Sequence, residues 1–272
     1  MEIEVVVSTM NNDISLYDQM NLQTDAIIVN QGDTFSYKEQ QKKKLCRFFS
    51  FKEKGVGLSR NNGLMRVQKE ICVIADDDMV YVPDYDEIIK RNYRKYPDAD
   101  MIVFNVRIHE ESTVKDVIRK NHRVRKYNAL RYGAVSFTFK TRVIRQSNLF
   151  FSQLFGGGAP YGSGEDSLFI WTLLNSRKKI YAVNDTIADV YNEGSTWFEG
   201  YNEKYFYDKG ALFKALSPIF FPVLIVQFVI RKFSTFSNHS FNRVEILRIM
   251  YKGAKQFGNR ETVRYENECK NV

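Results

Sequence analysis

The chain has 272 residues, of which 44% are hydrophobic and 26% charged, so its composition is that of a globular protein and argues against overall disorder. The formal net charge of +8 indicates an anionic partner without naming it. Three widely spaced cysteines, Cys46, Cys72 and Cys269, support neither a disulfide framework nor a zinc site and favour a reducing compartment.

Short apolar segments alternate with helical ones through the first hundred residues. We predict strands over 3–8, 26–29, 71–75 and 101–106, and helices over 16–22, 37–48, 59–68 and 85–96. This alternation indicates an α/β domain with a mainly parallel sheet. Because ligands gather at the carboxyl ends of parallel strands, the polar residues that follow these strands are candidate site residues.

The third predicted strand is followed by Asp76, Asp77 and Asp78. In an extended chain Asp76 and Asp78 point the same way, and two converging carboxylates suit Mg²⁺ or Mn²⁺ with a diphosphate as a further ligand. Without a cation the three adjacent charges repel one another. The alternative is an acidic turn with no metal.

The other strand ends carry weaker signals. Ser8 and Thr9 follow the first strand and Asp33 follows the second. Asp33 is placed to hydrogen-bond a nucleobase or ribose, or to cap the next turn. In the segment 57–63, Ser59 suits a helix cap, and Arg60 suits either a base or phosphate contact or simple exposure to solvent.

Glu165 and Asp166 follow a glycine-rich segment, 156–164, and open a predicted helix over 167–174. Acids are favoured at helix starts by the exposed backbone amides. The functional interpretation is that one carboxylate acts as a general base, which takes the proton from an acceptor hydroxyl.

The C-terminal part is basic and apolar. Residues 217–233 predict an apolar helix with basic residues at its edges, either buried in a core or lying in a bilayer interface. A second helical stripe follows, which consists of Phe241, Val244, Leu247, Tyr251 and Ala254. No stretch has the roughly 20 apolar residues that span a bilayer, and no signal peptide is recognised. Two such segments favour peripheral membrane attachment, with a dimer interface as the alternative.

Taken in order, these motifs resemble glycosyltransferase family 2, an inverting family with a GT-A fold. The segment 5–11 looks like its opening strand, 57–63 like its Arg-Asn-x-Gly helix start, 76–78 like its DxD motif and 165–166 like its ED motif. The resemblance covers about residues 1–200.

The resemblance implies a role for each candidate residue. Asp78 would bind the metal directly, and Asp76 would contact ribose or reach the metal through water. Asp33 would contact the nucleobase, Asp166 would be the catalytic base, and Glu165 would help to position the acceptor. The remaining donor-binding candidates are Ser8, Thr9, Arg60 and Asp77.

Two departures from the family pattern stand out. The histidine that many relatives place after the ED helix is missing, and only Asn192 or Glu193 stands near that place. The Gln-x-x-Arg-Trp motif of processive synthases is also missing, which favours transfer of one sugar per encounter. Aromatic residues between 191 and 207, above all Trp197, are candidates for stacking on a sugar, with core packing as the alternative.

The expected architecture is a GT-A domain over residues 1–207, with a mixed, mainly parallel sheet flanked by helices, and a helical extension over 208–272. The expected activity is metal-assisted transfer of one sugar, with Mn²⁺ or Mg²⁺, from a nucleotide-sugar, with UDP-sugar favoured, to a glycan or lipid-linked acceptor. We expect a bacterial surface polysaccharide or glycolipid pathway, in the cytoplasm on the inner face of the membrane.

A nucleic-acid partner is disfavoured because the basic excess lies in the apolar tail. A non-catalytic nucleotide-sugar or membrane scaffold is the alternative, and a phosphohydrolase is disfavoured because its Asp-x-Asp would follow the first strand.

Overall fold

The computed structural model describes residues 1–110, 113–115, 117–191, 200–236 and 241–269. Asn192, Glu193 and Trp197 lie outside these residues. The chain divides into two compact units: Met1–Gln153 with Glu165–Ser195, and Leu154–Gly164 with Thr196–Val272.

The first unit is built on a mixed sheet. Its strand order is β3-β4-β2-β1-β5-β10-β7-β11-β6, with β8 paired to β7 and β9 paired to β11. The strands are β1 Ile3–Met10, β2 Asp25–Gln31, β3 Ser36–Gln41, β4 Leu45–Phe51, β5 Ile71–Asp76, β6 Met79–Tyr81, β7 Met101–Glu110, β8 Thr113–Lys115, β9 His122–Arg123, β10 Phe137–Lys140 and β11 Ile180–Tyr191. The neighbours β4, β2, β1 and β5 run parallel, as do β7 and β11, while β10 lies antiparallel between β5 and β7.

Helices cover both faces of this sheet. In the first unit they are α1 Leu16–Gln19, α2 Val56–Leu64, α3 Tyr85–Lys95, α4 Lys126–Ala129, α5 Thr141–Ser147 and α6 Glu165–Asn175, with a short 3₁₀ helix at Ala134–Ser136. Successive residues of β1 serve opposite sides of the sheet. Val5 and Val7 pack into one apolar cluster with Tyr85, while Val6 packs into the other with Phe169. A strand buried on both faces explains why β1 is apolar without alternation.

The helix predicted over 37–48 is wrong. This stretch forms the antiparallel pair β3 and β4, joined by a turn of lysines, and β4 also runs parallel to β2. The Tyr37 ring lies 4.8 Å from the Phe49 ring across the pair. Pairing with β2 and these aromatic contacts outweigh the local helix propensity of the charged residues.

The second unit is helical over its described residues. Its helices are α7 Glu203–Leu216, α8 Phe221–Lys232 and α9 Arg243–Cys269, with a 3₁₀ helix at Phe233–Thr235. The boundary predicted after Tyr207 therefore falls inside α7. Of the predicted α9 stripe, Ala254 is buried, but Val244 and Tyr251 are exposed, because the buried face is formed by Ile246, Met250, Ala254 and Phe257. Among the described residues, no helix combines the length and apolarity that a membrane crossing requires.

Candidate active site

The carboxyl ends of β2, β1 and β5 meet at one edge of the sheet. In the register of the parallel strands, Ser8 lies opposite Asp76 on one side and Val29 on the other. The backbone thus brings the ends of the first, second and third predicted strands together, as the sequence predicted.

A polar network closes this edge. The Thr9 hydroxyl and the Asn12 side-chain amide both donate to one carboxylate oxygen of Asp77, the amide over 3.0 Å. The Asn12 backbone amide donates to Asn30 Oδ1 over 3.0 Å. Asp77 is therefore held by hydrogen bonds from Thr9 and Asn12 of the chain itself. Asn12 was not singled out from the sequence, where it reads only as a turn residue.

Arg60 links the two acidic motifs. Its side chain is only 4% exposed, Nη2 donates to both oxygens of Asp76 over 2.8 and 3.0 Å, and Nη1 donates to Glu165 over 2.9 Å. Burial disfavours its charge, yet the carboxylates of Asp76 and Glu165 raise the pKa of Arg60 above its usual range. The sequence left Arg60 open between a ligand contact and solvent, whereas the structure engages it with protein carboxylates.

Two glycines allow α2 to carry Arg60 to this position. A Cβ at Gly63 would lie 2.2 Å from Val6 Cγ1 in β1, and one at Gly57 would lie 2.4 Å from the carbonyl oxygen of Ser152. Real Cβ atoms do not make such contacts, so the close approach of α2 to its neighbours requires glycine at both positions.

Asp78 presents a different environment from Asp76 and Asp77. The residue as a whole is exposed, but its carboxylate is partly desolvated. This desolvation, followed by the charges of Asp76 and Asp77, raises the pKa of Asp78 to about 6. A cation beside Asp78 would relieve the crowding of negative charge.

Of the three aspartates, Asp78 is the candidate ligand for a hard divalent cation, because Asp76 is held by Arg60 and Asp77 by Thr9 and Asn12. Within the described part of the chain, no group of three His, Cys, Asp or Glu side chains is placed to hold a metal ion. Asp76 has both oxygens on Arg60, so a direct metal bond from Asp76 would compete with that guanidinium. Asn192 and Glu193, the sequence candidates for a third ligand, lie outside the described residues.

Asp166 lies in the first turn of α6 beside the segment that follows α4. The Ser167 backbone amide donates to Asp166 Oδ1 over 2.6 Å, and a Cβ at Gly133 would lie 3.6 Å from Asp166 Oδ2. Gly164, just before α6, has a φ of +127°, which favours glycine and sets the sharp entry into the helix. Because Glu165 contacts Arg60, the ED motif and the DxD motif belong to one connected arrangement.

The remaining predicted residues lie at the same edge without joining that arrangement. The Ser8 hydroxyl is buried and has no hydrogen-bond partner among the described residues. Asp33 is exposed two residues beyond β2. Both roles assigned to these residues stay predictions.

A further polar cluster lies on the strands next to Asp78. The Tyr191 backbone amide donates to the Asp78 carbonyl oxygen over 3.3 Å, and the Tyr191 ring stacks on His109 with centroids 4.8 Å apart. Asp189 accepts from Arg107 over 2.7 Å and contacts His109 Nε2 at 2.6 Å. Burial works against the charge of Asp189, but these hydrogen bonds lower its pKa overall. This cluster was not predicted from the sequence, although the alternation of Arg107 and His109 along β7 is a signal for one polar face.

The doubly covered, largely parallel sheet with its polar carboxyl edge has the architecture of the GT-A class of glycosyltransferases. The sequence profile described as Glycosyl transferase family 2 matches residues 14–155, just over half of the chain. The chain belongs to this family. The match includes Asp33, Arg60 and 76–78 and ends before Glu165 and Asp166. No curated protein matches the chain by sequence.

Solved structures of S. aureus TarS share the fold. TarS 1–349 in complex with UDP-GlcNAc has a TM-score of 0.66 and 15% identity, over 89% of this chain and 76% of that one. TarS 1–349 alone has a TM-score of 0.64 and 12% identity, over 94% of this chain and 83% of that one. Against TarS itself the TM-score is 0.58 at 15% identity, and the match covers 96% of this chain and 43% of the TarS chain. At these identities the likeness concerns the fold.

Proposed function

We propose that this glycosyltransferase transfers one sugar from a UDP-sugar to a hydroxyl group of a glycan or lipid-linked acceptor, with inversion at the anomeric carbon. The observation that carries the proposal is the Arg60 side chain, which contacts Asp76 and Glu165 at once. It joins the end of β5, where a donor diphosphate would lie, to the start of α6, where the acceptor would be deprotonated. Donor and acceptor groups are thereby held in fixed relation, as an in-line displacement requires.

Asp78 would hold a divalent cation, Mn²⁺ or Mg²⁺, while Asp77 stays bound to Thr9 and Asn12. When bound, the cation neutralises charge on the departing nucleoside diphosphate. Asp76, held by Arg60, would accept hydrogen bonds from ribose hydroxyls. Asp33 would contact the base, and Ser8 and Thr9 would line the donor side of the edge.

Asp166 would act as the general base. The acceptor oxygen forms a bond to the anomeric carbon, the bond from that carbon to the diphosphate oxygen breaks with its electron pair, and the hydroxyl proton passes to Asp166. A single displacement inverts the configuration. Glu165, held by Arg60, would position the acceptor.

The donor and the setting are finer parts of the proposal. The TarS structure with UDP-GlcNAc supports a UDP-sugar donor in this fold. We place the reaction in bacterial surface polysaccharide or glycolipid synthesis, with the second unit in peripheral contact with the inner face of the membrane. The exposed apolar residues of α8 support that contact, since Val223 is 64% and Ile230 69% exposed. A homodimer through α8 is the competing arrangement.

Nucleotide release and nucleotide binding together test the function. Purified protein with UDP-GlcNAc and other UDP-sugars plus Mn²⁺ should release UDP, and EDTA should stop release. We expect Asp78→Asn to lose metal-dependent UDP binding in calorimetry. Asp166→Asn should keep binding and lose at least about 100-fold in turnover, the range for a general base. Asp86→Asn, on α3 where Asp86 pairs with Lys90 and has no assigned site role, is the matched control and should behave as wild type does.

A non-catalytic scaffold makes a different prediction. Metal-dependent UDP binding with no release from any donor, in the presence of acceptor glycans, would favour the scaffold. If the Asp166→Asn variant released UDP as fast as wild type, Asp166 would not be the general base.

A further inference from the structure

The segment before the ED motif has an unusual charge pattern. Between Asp116 and Glu165 no acidic residue occurs over residues 117–164. The same stretch contains nine Lys and Arg residues, which are Arg119, Lys120, Arg123, Arg125, Lys126, Arg131, Lys140, Arg142 and Arg145. A one-signed stretch of this length leaves a local positive field unless other parts of the chain neutralise it.

Three of these cations, Arg125, Lys126 and Arg131, flank and form α4 and are exposed. None of the three forms a salt bridge with a carboxylate among the described residues. Elsewhere in the first unit surface cations do find such partners, for example Lys90 with Asp86 at 2.7 Å. Their positive charge is therefore available to a ligand.

The segment around α4 is held in place by other contacts. His122 Nε2 lies 2.8 Å from the Tyr132 hydroxyl, and the Arg123 guanidinium lies 4.8 Å from the Tyr181 ring centroid. Asn128 Oδ1 accepts from the Arg125 backbone amide over 2.7 Å. These contacts fix the backbone, so the cations of α4 are presented from a defined position.

That position is beside the candidate base. Lys126 Nζ lies 5.4 Å from the Trp171 ring centroid on α6, and Gly133, which follows α4, lies beside Asp166. Lys126 thus lies against α6, which carries Asp166 in its first turn, and Arg125 and Arg131 lie close to Lys126 in the chain. The donor edge, in contrast, is formed by the ends of β1, β2 and β5. Tyr127, 81% exposed between Lys126 and Asn128, adds an aromatic ring that suits a sugar face.

We infer that the acceptor is a glycan bearing anionic groups, phosphate or carboxylate, and that Arg125, Lys126 and Arg131 bind those groups. The inference rests on the proposed function, because it takes Asp166 as the acceptor side of the site. Cations matched to anions along a glycan would align its hydroxyl with Asp166 and select against neutral chains.

Binding of model polymers tests the inference without turnover. Inorganic polyphosphate, polygalacturonate and neutral dextran would be titrated into the protein at low and high salt. We expect the two anionic polymers, or one of them, to bind with salt-sensitive affinity and dextran not to bind. The triple variant Arg125→Gln, Lys126→Gln, Arg131→Gln should weaken that binding about tenfold or more.

A second triple variant removes the same charge elsewhere. This variant combines Lys38→Gln, Lys43→Gln and Arg142→Gln, and so removes three exposed cations of the first unit that lie outside the segment 125–131. It should keep the wild-type affinity for the anionic polymers. Equal thermal midpoints and unchanged UDP binding in both triple variants would show that fold and donor site are intact. The preferred polymer distinguishes phosphate from carboxylate.

Three outcomes would overturn the inference: no binding of either anionic polymer, equal loss in both triple variants, or binding of phosphatidylglycerol vesicles through these residues with none to the polymers. The last would assign the cations to a membrane surface. Polymer binding is independent of nucleotide release, so failure of the proposed function shows itself separately in the release assay.

Discussion

Arg60 carries a charge that is costly to bury, and its side chain lies between Asp76 of the DxD motif and Glu165 of the ED motif. Its guanidinium contacts Asp76, 16 residues along the chain, and Glu165, 105 residues along. Moving a charge out of water costs several kcal/mol, and only well-placed opposite charges offset that cost. The buried charge of Arg60 is tolerated only when the carboxylates of Asp76 and Glu165 both contact the guanidinium. The Arg60 side chain therefore fixes the relative positions of the two carboxylates at least as much as it stabilises the fold.

The stability of the fold should depend on Arg60. Arg60→Met leaves Asp76 and Glu165 without their cation and should lower the free energy of unfolding by about 3 kcal/mol, toward the lower end for breaking a buried pair because Asp76 is partly exposed. Urea denaturation measures the loss. Arg91→Met removes an exposed cation from Asp185 and should cost under about 1 kcal/mol. Equal midpoints for the two variants would contradict a structural role for the Arg60 pair.

At the scale of residues, the sequence identifies the acidic candidate residues of the site but not the side chains that each of them contacts. The acids at 76–78 and 165–166 stand out because they follow apolar strands or glycines in the chain. That Asp77 binds Thr9 and Asn12, while Asp76 binds Arg60, depends on contacts between residues far apart in sequence. Adjacent aspartates look identical in a sequence, and only the fold assigns each a different neighbour.

At the scale of elements, buried parallel strands were predictable and paired edge strands were not. β1, β2 and β5 are short β-branched runs ended by polar turns, so their type is readable from the chain. β3 is exposed along most of its length and is stabilised by pairing with β4. Its charged sequence favours a helix locally, and the pairing that overrides this preference is a tertiary contact.

The close packing of α7 against α9 requires glycine at two positions, and the sequence alone does not show this. A Cβ at Gly210 would lie 1.9 Å from the Met250 carbonyl oxygen, and one at Gly253 would lie 2.0 Å from that of Tyr207. Gly210→Ala should force the two backbones apart and lower the free energy of unfolding by about 1–3 kcal/mol, the usual range for overpacking. Thermal or urea unfolding measures it.

Gly258 on α9 provides the opposite case. The nearest atom to a Cβ there is Lys214 Cε at 3.2 Å, the far part of a flexible side chain. Gly258→Ala should therefore be neutral or stabilise by up to about 1 kcal/mol, as alanine does within a helix. If Gly210→Ala behaved like Gly258→Ala, the close contact of α7 with α9 would not exist in solution.

Across the whole molecule, charge and exposed apolar surface coincide in the second unit. Residues 209–244 contain no acidic residue and five basic ones: Lys209, Lys214, Arg231, Lys232 and Arg243. Only Ile225 and Val229 of α8 are buried, so an apolar helix is left largely open to solvent. A groove of about 460 Å³ runs beside it, lined by Val223, Val226 and Ile230 with Tyr251 of α9. Apolar residues bordered by cations fit an anionic bilayer surface better than a neutral protein partner.

Vesicle sedimentation tests membrane contact by the full chain. Wild type should bind vesicles of phosphatidylglycerol and phosphatidylcholine, and bind pure phosphatidylcholine weakly. Arg231→Gln with Lys232→Gln should weaken anionic binding about 30-fold, since each cation near such a surface contributes about 1 kcal/mol. Val223→Asp with Ile230→Asp should abolish binding to both compositions, because it removes apolar burial and adds repulsion.

The competing dimer predicts a different result for the same variants. Met65, 60% exposed in the first unit, gives the control Met65→Asp, which should bind vesicles as wild type does. If wild type shows no vesicle binding but a doubled mass in light scattering, and Val223→Asp with Ile230→Asp restores the single mass, α8 is covered by a second copy. Added salt further distinguishes membrane contact from a dimer. It should release the chain from anionic vesicles, because it screens the cations. An apolar α8 contact between two copies should persist in salt.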